Sequence, residues 1–67
     1  MDIEQFLMTH QAYINNIVNK TMLQYWDSEW YVWRDGAFKN KIFYRGDSFA
    51  AAAKIFALPE DKLVRLF

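Results

Sequence analysis

An α+β fold is what this sequence predicts, on three observations. The amino-terminal stretch has helical apolar spacing, an aromatic middle segment is broken by Asp35-Gly36, and an alanine-rich run precedes a proline. Sixty-seven residues make one small domain, 1–67, and such a domain buries only about 60% of the surface its unfolded chain exposes. Cysteine is absent, so no disulfide or thiolate metal site supplements the core. Large rings must supply the stability instead, and the 54% apolar content is that of a folded chain.

From Asp2 to about Gln24 the apolar positions follow a helical period. Ile3, Leu7, Ile14 and Ile17 alternate by four and three, with His10 and Thr21 filling the missing steps. Phe6, Tyr13 and Val18 widen the stripe, while Glu4, Gln11, Asn15 and Asn19 lie opposite. Asp2 followed by Gln5 resembles a capping box, and the acidic first turn suits the helix dipole. The three asparagines weaken this long helix intrinsically, and a break near Thr9-His10 is an alternative.

Trp26-Asp27-Ser28 ends the helix and leads to a first strand, Glu29 to Arg34. Asp35-Gly36 turns the chain, and Ala37 to Tyr44 returns as its antiparallel partner. The preferred register pairs Trp30 with Asn40 and Val32 with Phe38 on one face. It sets Glu29 opposite Lys41 and Tyr31 opposite Lys39 on the other, giving a core face and a charged face. A turn at Lys39-Asn40-Lys41 is the alternative. Arg45-Gly46 breaks the ladder, and Asp47 or Ser48 caps a helix from Phe49 to Ala57 that stops at Leu58-Pro59. Pro59 to Phe67 is either a short helix or a strand added to the hairpin.

The rings of the hairpin exceed what its own two faces hide. Trp30, Phe38 and Ile42 read as core, while Tyr31, Trp33, Phe43 and Tyr44 collect into an apolar docking surface. Arg34, Lys39 and Lys41 are expected to steer this surface onto an acidic partner. The partner is a larger protein or a second copy of the chain, and the chain acts as a small regulator or inhibitor. Formal net charge is zero, which argues against indiscriminate binding to nucleic acid or membrane and removes long-range repulsion between copies. The charge is nonetheless uneven: Asp2, Glu4, Asp27 and Glu29 precede a basic group of Arg34, Lys39, Lys41 and Arg45.

Residues Ala52 to Phe67 resemble a helix-turn-helix segment of the DNA-binding type. Ala53 matches the small residue where the helices cross, Leu58 the apolar residue after the turn, and Leu63 and Leu66 the anchors of the second helix. Ala57 stands where the family usually has glycine. The resemblance implies DNA contact through Lys62 and Arg65, although Glu60 and Asp61 occupy the end of the helix that would face phosphate. With the aromatic and basic hairpin as a stacking platform, DNA or RNA binding is the second functional expectation.

Catalysis finds little in the sequence. His10 is the one histidine and reads as a boundary residue, and Ser28 and Ser48 lack an adjacent base. Asp27 and Glu29, or Glu60 and Asp61, have the spacing of neither a catalytic pair nor a metal loop. No enzyme, cofactor or metal site is expected. The acidic start is not that of a signal peptide, and no apolar run approaches the roughly 18 residues of a membrane span, so a cytoplasmic location is expected.

Overall fold

The computed structural model describes residues 2–10, 12–18, 20–34 and 41–66. Helix α1 (Ile3–His10) precedes four strands, β1 (Tyr13–Asn16), β2 (Thr21–Trp26), β3 (Glu29–Arg34) and β4 (Lys41–Gly46). Helix α2 (Phe49–Phe56) and a single 3-10 turn, Glu60–Lys62, complete the chain. The strands form one antiparallel meander in the order β1-β2-β3-β4. The α+β class is as expected, but the arrangement differs from the expected helix on a two-stranded hairpin.

The largest correction concerns residues 12–26. Helix α1 spans 8 residues, opened by Asp2, whose carboxylate accepts from the Gln5 N–H at 2.8 Å. Beyond His10 the chain is rich in Ile, Val, Thr, Tyr and Asn, residues that resist helix and, apart from Asn, favour strands. Ile14 pairs with Leu23, and Asn16 with Thr21. The Lys20 N–H closes the connection onto the Asn16 carbonyl at 2.6 Å, with Lys20 itself at φ 58°. Asp27 and Ser28 form the next connection, both left-handed at φ 52° and 65°, as a two-residue hairpin turn of the primed type requires.

The β3–β4 register is also corrected. Trp30 lies opposite Gly46 and Tyr31 opposite Arg45, while Glu29 closes the β2–β3 turn opposite Trp26. Arg34 faces Lys41, so residues 35–40 connect these strands. The expected turn at Asp35-Gly36 and partners Phe38, Lys39 and Asn40 lie outside the described residues. A bulge carries the pairing from Val32–Tyr44 to Trp33–Ile42, leaving Phe43 as the extra residue. The bulge lets adjacent residues Phe43 and Tyr44 both pack toward the helices.

Helix α2 follows its expectation. Ser48 is the cap, its side-chain oxygen accepting from the Ala51 N–H at 3.1 Å, and Ala57 ends the helix with a right-handed φ of −82°. The alanines let the helix come close to the sheet, where Ala52 and Val32 are both fully buried. Trp30 is the centre of this packing, tilted against Tyr25 and Phe49 with ring centroids 4.9 and 4.8 Å apart. Leu7, Leu23 and Phe43 complete the buried core. After the 3-10 turn the chain runs irregularly, and the Leu66 N–H donates to the Ile42 carbonyl at 2.7 Å. The terminal segment thus hooks onto β4 after one tight turn. Both helices touch one side of the sheet.

Candidate interaction surface

The side of the sheet away from the helices is built by the alternation of its strands. Tyr13, Gln24, Tyr31 and Arg45 make one row across all four strands. Asn15, Met22, Trp33 and Ile42 make the next, and Trp26 with Glu29 begins a third at the β2–β3 turn. Tyr13 and Trp26 are 58% and 55% exposed, while Met22, Tyr31, Trp33 and Ile42 are half-buried. Between the two tryptophans is a shallow hollow of about 240 Å³, lined by Gln24, Trp26, Tyr31, Trp33 and Ile42.

Polar contacts fix the orientation of these side chains. The Trp33 indole N–H donates to the Gln24 side-chain amide oxygen at 3.0 Å. Arg45 donates to both Glu29 oxygens, at 2.9 and 3.4 Å, and its guanidinium is 5.8 Å from the Tyr31 ring centroid. The bond from Arg45, and then its charge, hold the Glu29 carboxyl below the usual carboxylate range despite some desolvation. The same pairing raises Arg45. The open face therefore presents rings whose one cation–carboxylate pair is internally neutralised.

Of the residues expected at a docking surface, the structure brings Tyr31 and Trp33 together there. Phe43 is instead 6% exposed in the core, and Tyr44 packs beside it, its hydroxyl accepting from the Ser48 N–H at 3.3 Å. Tyr44 faces the helices through its regular pairing with Val32, and the bulge next to it turns Phe43 inward as well. Ile42, expected in the core, stands on the open face for the same reason. Arg34 and Lys41 form the last pair of the ladder on the helix side, where Arg34 lies over the Phe43 ring at 5.6 Å. Lys39 is outside the described residues. Lys62 and Arg65 are exposed on the terminal segment.

The missed members are Tyr13, Met22, Gln24, Trp26 and Ile42. The alternation Thr21, Leu23, Tyr25 against Met22, Gln24, Trp26 was the signal for a second strand with one open face.

The residues considered for catalysis stand apart. His10 stacks on Phe6 with centroids 4.4 Å apart and has a ring nitrogen 3.0 Å from the Phe6 carbonyl, so this nitrogen carries the proton that is donated. Ser48 is occupied as the helix cap, and Ser28 lies in the turn between β2 and β3. Among the described residues no three of His, Cys, Asp and Glu gather as a metal site would need, and no helix is long and apolar enough to cross a membrane. Compared with known protein families, curated proteins and solved structures, the chain matches none of them.

Proposed function

We propose that this chain is a non-catalytic protein-binding module, a small regulator or inhibitor that takes its partner on the open face of the sheet. The observation that carries the reading is the row structure of that face. Tyr13, Trp26, Tyr31, Trp33, Met22 and Ile42 share one surface that no described element covers. Trp and Tyr are the residue types that dominate binding energy at protein interfaces. Tyr31 and Trp33 remain the expected anchors, joined by Trp26 and Tyr13. Lys20, Arg34 and Lys41, at one end of the sheet, supply the positive field that orients an incoming acidic surface.

Exposed rings on a sheet also suit the stacking of nucleic-acid bases, the second expectation. Support for it is thinner, because Arg45, the cation of the open face, is engaged by Glu29. The test measures capture of protein from native host extract and binding of labelled single-stranded DNA and RNA, each across a salt series. Protein capture that persists at moderate salt and is lost in Trp33→Ala, with folding unchanged, is the expected result. Nucleic-acid binding that collapses steeply with salt transfers the assignment to the second reading.

A further inference from the structure

We propose that the groove between α1 and α2 binds a small cationic amphiphile, an amine or quaternary ammonium carried on an aliphatic chain. This groove lies on the opposite side of the sheet from the docking face proposed above, so either site can exist without the other.

Both helices rest on β2, yet they stand apart from one another. Helix α1 is held by Leu7, its one buried residue, and Ile3 in its first turn is 59% exposed. Helix α2 is drawn onto the sheet at Ala52, and the next residue, Ala53, offers only a methyl group toward the gap. The gap is a groove of about 690 Å³, floored by Ile14 and Leu23, which pair between β1 and β2. Phe49, Ala53 and Phe56 line it from α2 at the spacing of one helix face, and Ile3 lines it from α1. Closely packed elements interdigitate and leave few voids larger than a water molecule. This space is instead within the range of about 300–1,000 Å³ that small-molecule sites occupy, with the apolar lining such sites have.

Charge names the head group. Asp2 and Glu4 both line the groove, and among the described residues no cation does. Asp2 uses one carboxylate oxygen to accept from the Gln5 N–H, which leaves it further capacity as an acceptor. An apolar channel bordered by two carboxylates selects an apolar body with a positive end. A fatty acid or alkyl sulfate would set like charge against Asp2 and Glu4, and a neutral chain would forgo the ion pair. The rings of Phe49 and Phe56 favour the same choice, because a cation is attracted to an aromatic face. Both carboxylates belong to exposed residues, so the head group supplies selectivity while the apolar body supplies most of the affinity.

The test titrates decylammonium, decyl maltoside and decyl sulfate, each below its micelle concentration, into the full chain. Binding is followed by NMR of the backbone amides, methyl groups and indole N–H groups. Decylammonium is expected to saturate at one molecule per chain, shifting the methyls of Ile3, Ile14, Leu23 and Ala53 and leaving the Trp33 indole N–H in place. Decyl sulfate is expected not to saturate. Asp2→Asn combined with Glu4→Gln is expected to weaken decylammonium roughly two- to tenfold and to leave decyl maltoside unchanged. Asparagine at the cap keeps α1 closed, so this variant tests charge and not folding. Ala53→Phe fills the groove and is expected to abolish binding of both compounds. Ile3→Lys, at an exposed position, places a cation in the groove and is expected to abolish binding of decylammonium with the circular dichroism spectrum unchanged.

Absence of saturable decylammonium binding overturns the proposal. Shifts confined to Trp26, Tyr31 and Trp33 also overturn it, because they put the alkyl chain on the open face. Equal binding of decyl sulfate, or indifference to the Asp2 and Glu4 substitutions, overturns the assignment of a cationic ligand. Should Ala53→Phe fail to fold, Ile3→Lys decides: undiminished decylammonium binding by that folded variant places the ligand elsewhere.

Discussion

Thr21→Val is expected to stabilise the protein, and the reason is visible at one atom. Thr21 opens β2 on the helix side of the sheet and is 1% exposed. Its hydroxyl oxygen has no hydrogen-bond partner among the described residues. A hydroxyl taken from water and left unpaired costs about 1–3 kcal/mol. Valine has nearly the same shape, keeps both branches at Cβ, and is at least as comfortable in a strand. The expected gain is about 1–2 kcal/mol, a large fraction for a domain whose core rarely supplies more than about 3–5 kcal/mol. Thermal melting should rise by roughly 4–8 °C per kcal/mol, and the urea midpoint should rise with an unchanged slope. Both are read at one fixed protein concentration. Thr21→Ser is the control: it keeps the hydroxyl, loses a methyl, and should lower the midpoint. A valine variant no more stable than the parent would refute the reasoning, because it would mean that the hydroxyl is satisfied.

Ser28→Gly should also stabilise, by about 0.5–1 kcal/mol: serine is costly at φ 65°, and glycine relieves that at some cost in unfolded-chain entropy. Gly46→Ala should destabilise by about 1–2 kcal/mol, because a Cβ there would meet the Tyr44 hydroxyl at 2.6 Å and push it off the Ser48 N–H; hydrogen exchange should locate the loosening at the start of α2. Phe43→Ala should cost about 3–5 kcal/mol in urea unfolding, whereas Trp33→Ala, on the open face, should cost much less. The Glu29 carboxyl is held low by Arg45, so its contribution is present above the unfolded-state range and lost as pH falls through the lower folded value. In an acid titration of stability, Arg45→Met should therefore flatten part of the acid slope, by a small amount for a pair this exposed.

Where local signals were strong and agreed with packing, the sequence was legible. Asp2 caps α1, Ser48 caps α2, the alanines lie against the sheet, and β3 begins at Glu29 and ends at Arg34 as expected. Residues 12–26 were misread because two periods overlap there. Ile14 and Ile17 extend the spacing begun by Ile3 and Leu7, yet Ile14 faces the core from β1 while Ile17 is 83% exposed in the following turn. Intrinsic preference points the other way and wins: asparagine, threonine and the β-branched residues oppose helix across that window. The turn at Asp27-Ser28 carries no glycine, so its left-handed backbone left no mark in the sequence beyond an aspartate.

The site was legible to the extent that side-chain direction follows strict alternation. Tyr31 and Trp33 share a parity with no irregularity between them, and both stand on the open face. From Val32 onward the partner strand holds one extra residue, which reverses the face of everything beyond it. Phe43 and Ile42 exchanged their expected places for that single reason, while Tyr44 faces inward by its regular pairing with Val32. No composition or spacing announces a bulge, because it is chosen by what it buries. Here it buries Phe43 under Arg34, beside Tyr44, whose hydroxyl accepts from the Ser48 N–H at the start of α2. The surplus of rings survives this exchange, since each aromatic drawn into the core is offset by one on β1 or β2 that a long helix would have placed elsewhere. Tyr13 and Trp26 are the most exposed rings of the open face, and neither belongs to the β3–β4 hairpin. The open aromatic face is thus a property of the whole meander, since each of its two full rows takes one residue from every strand.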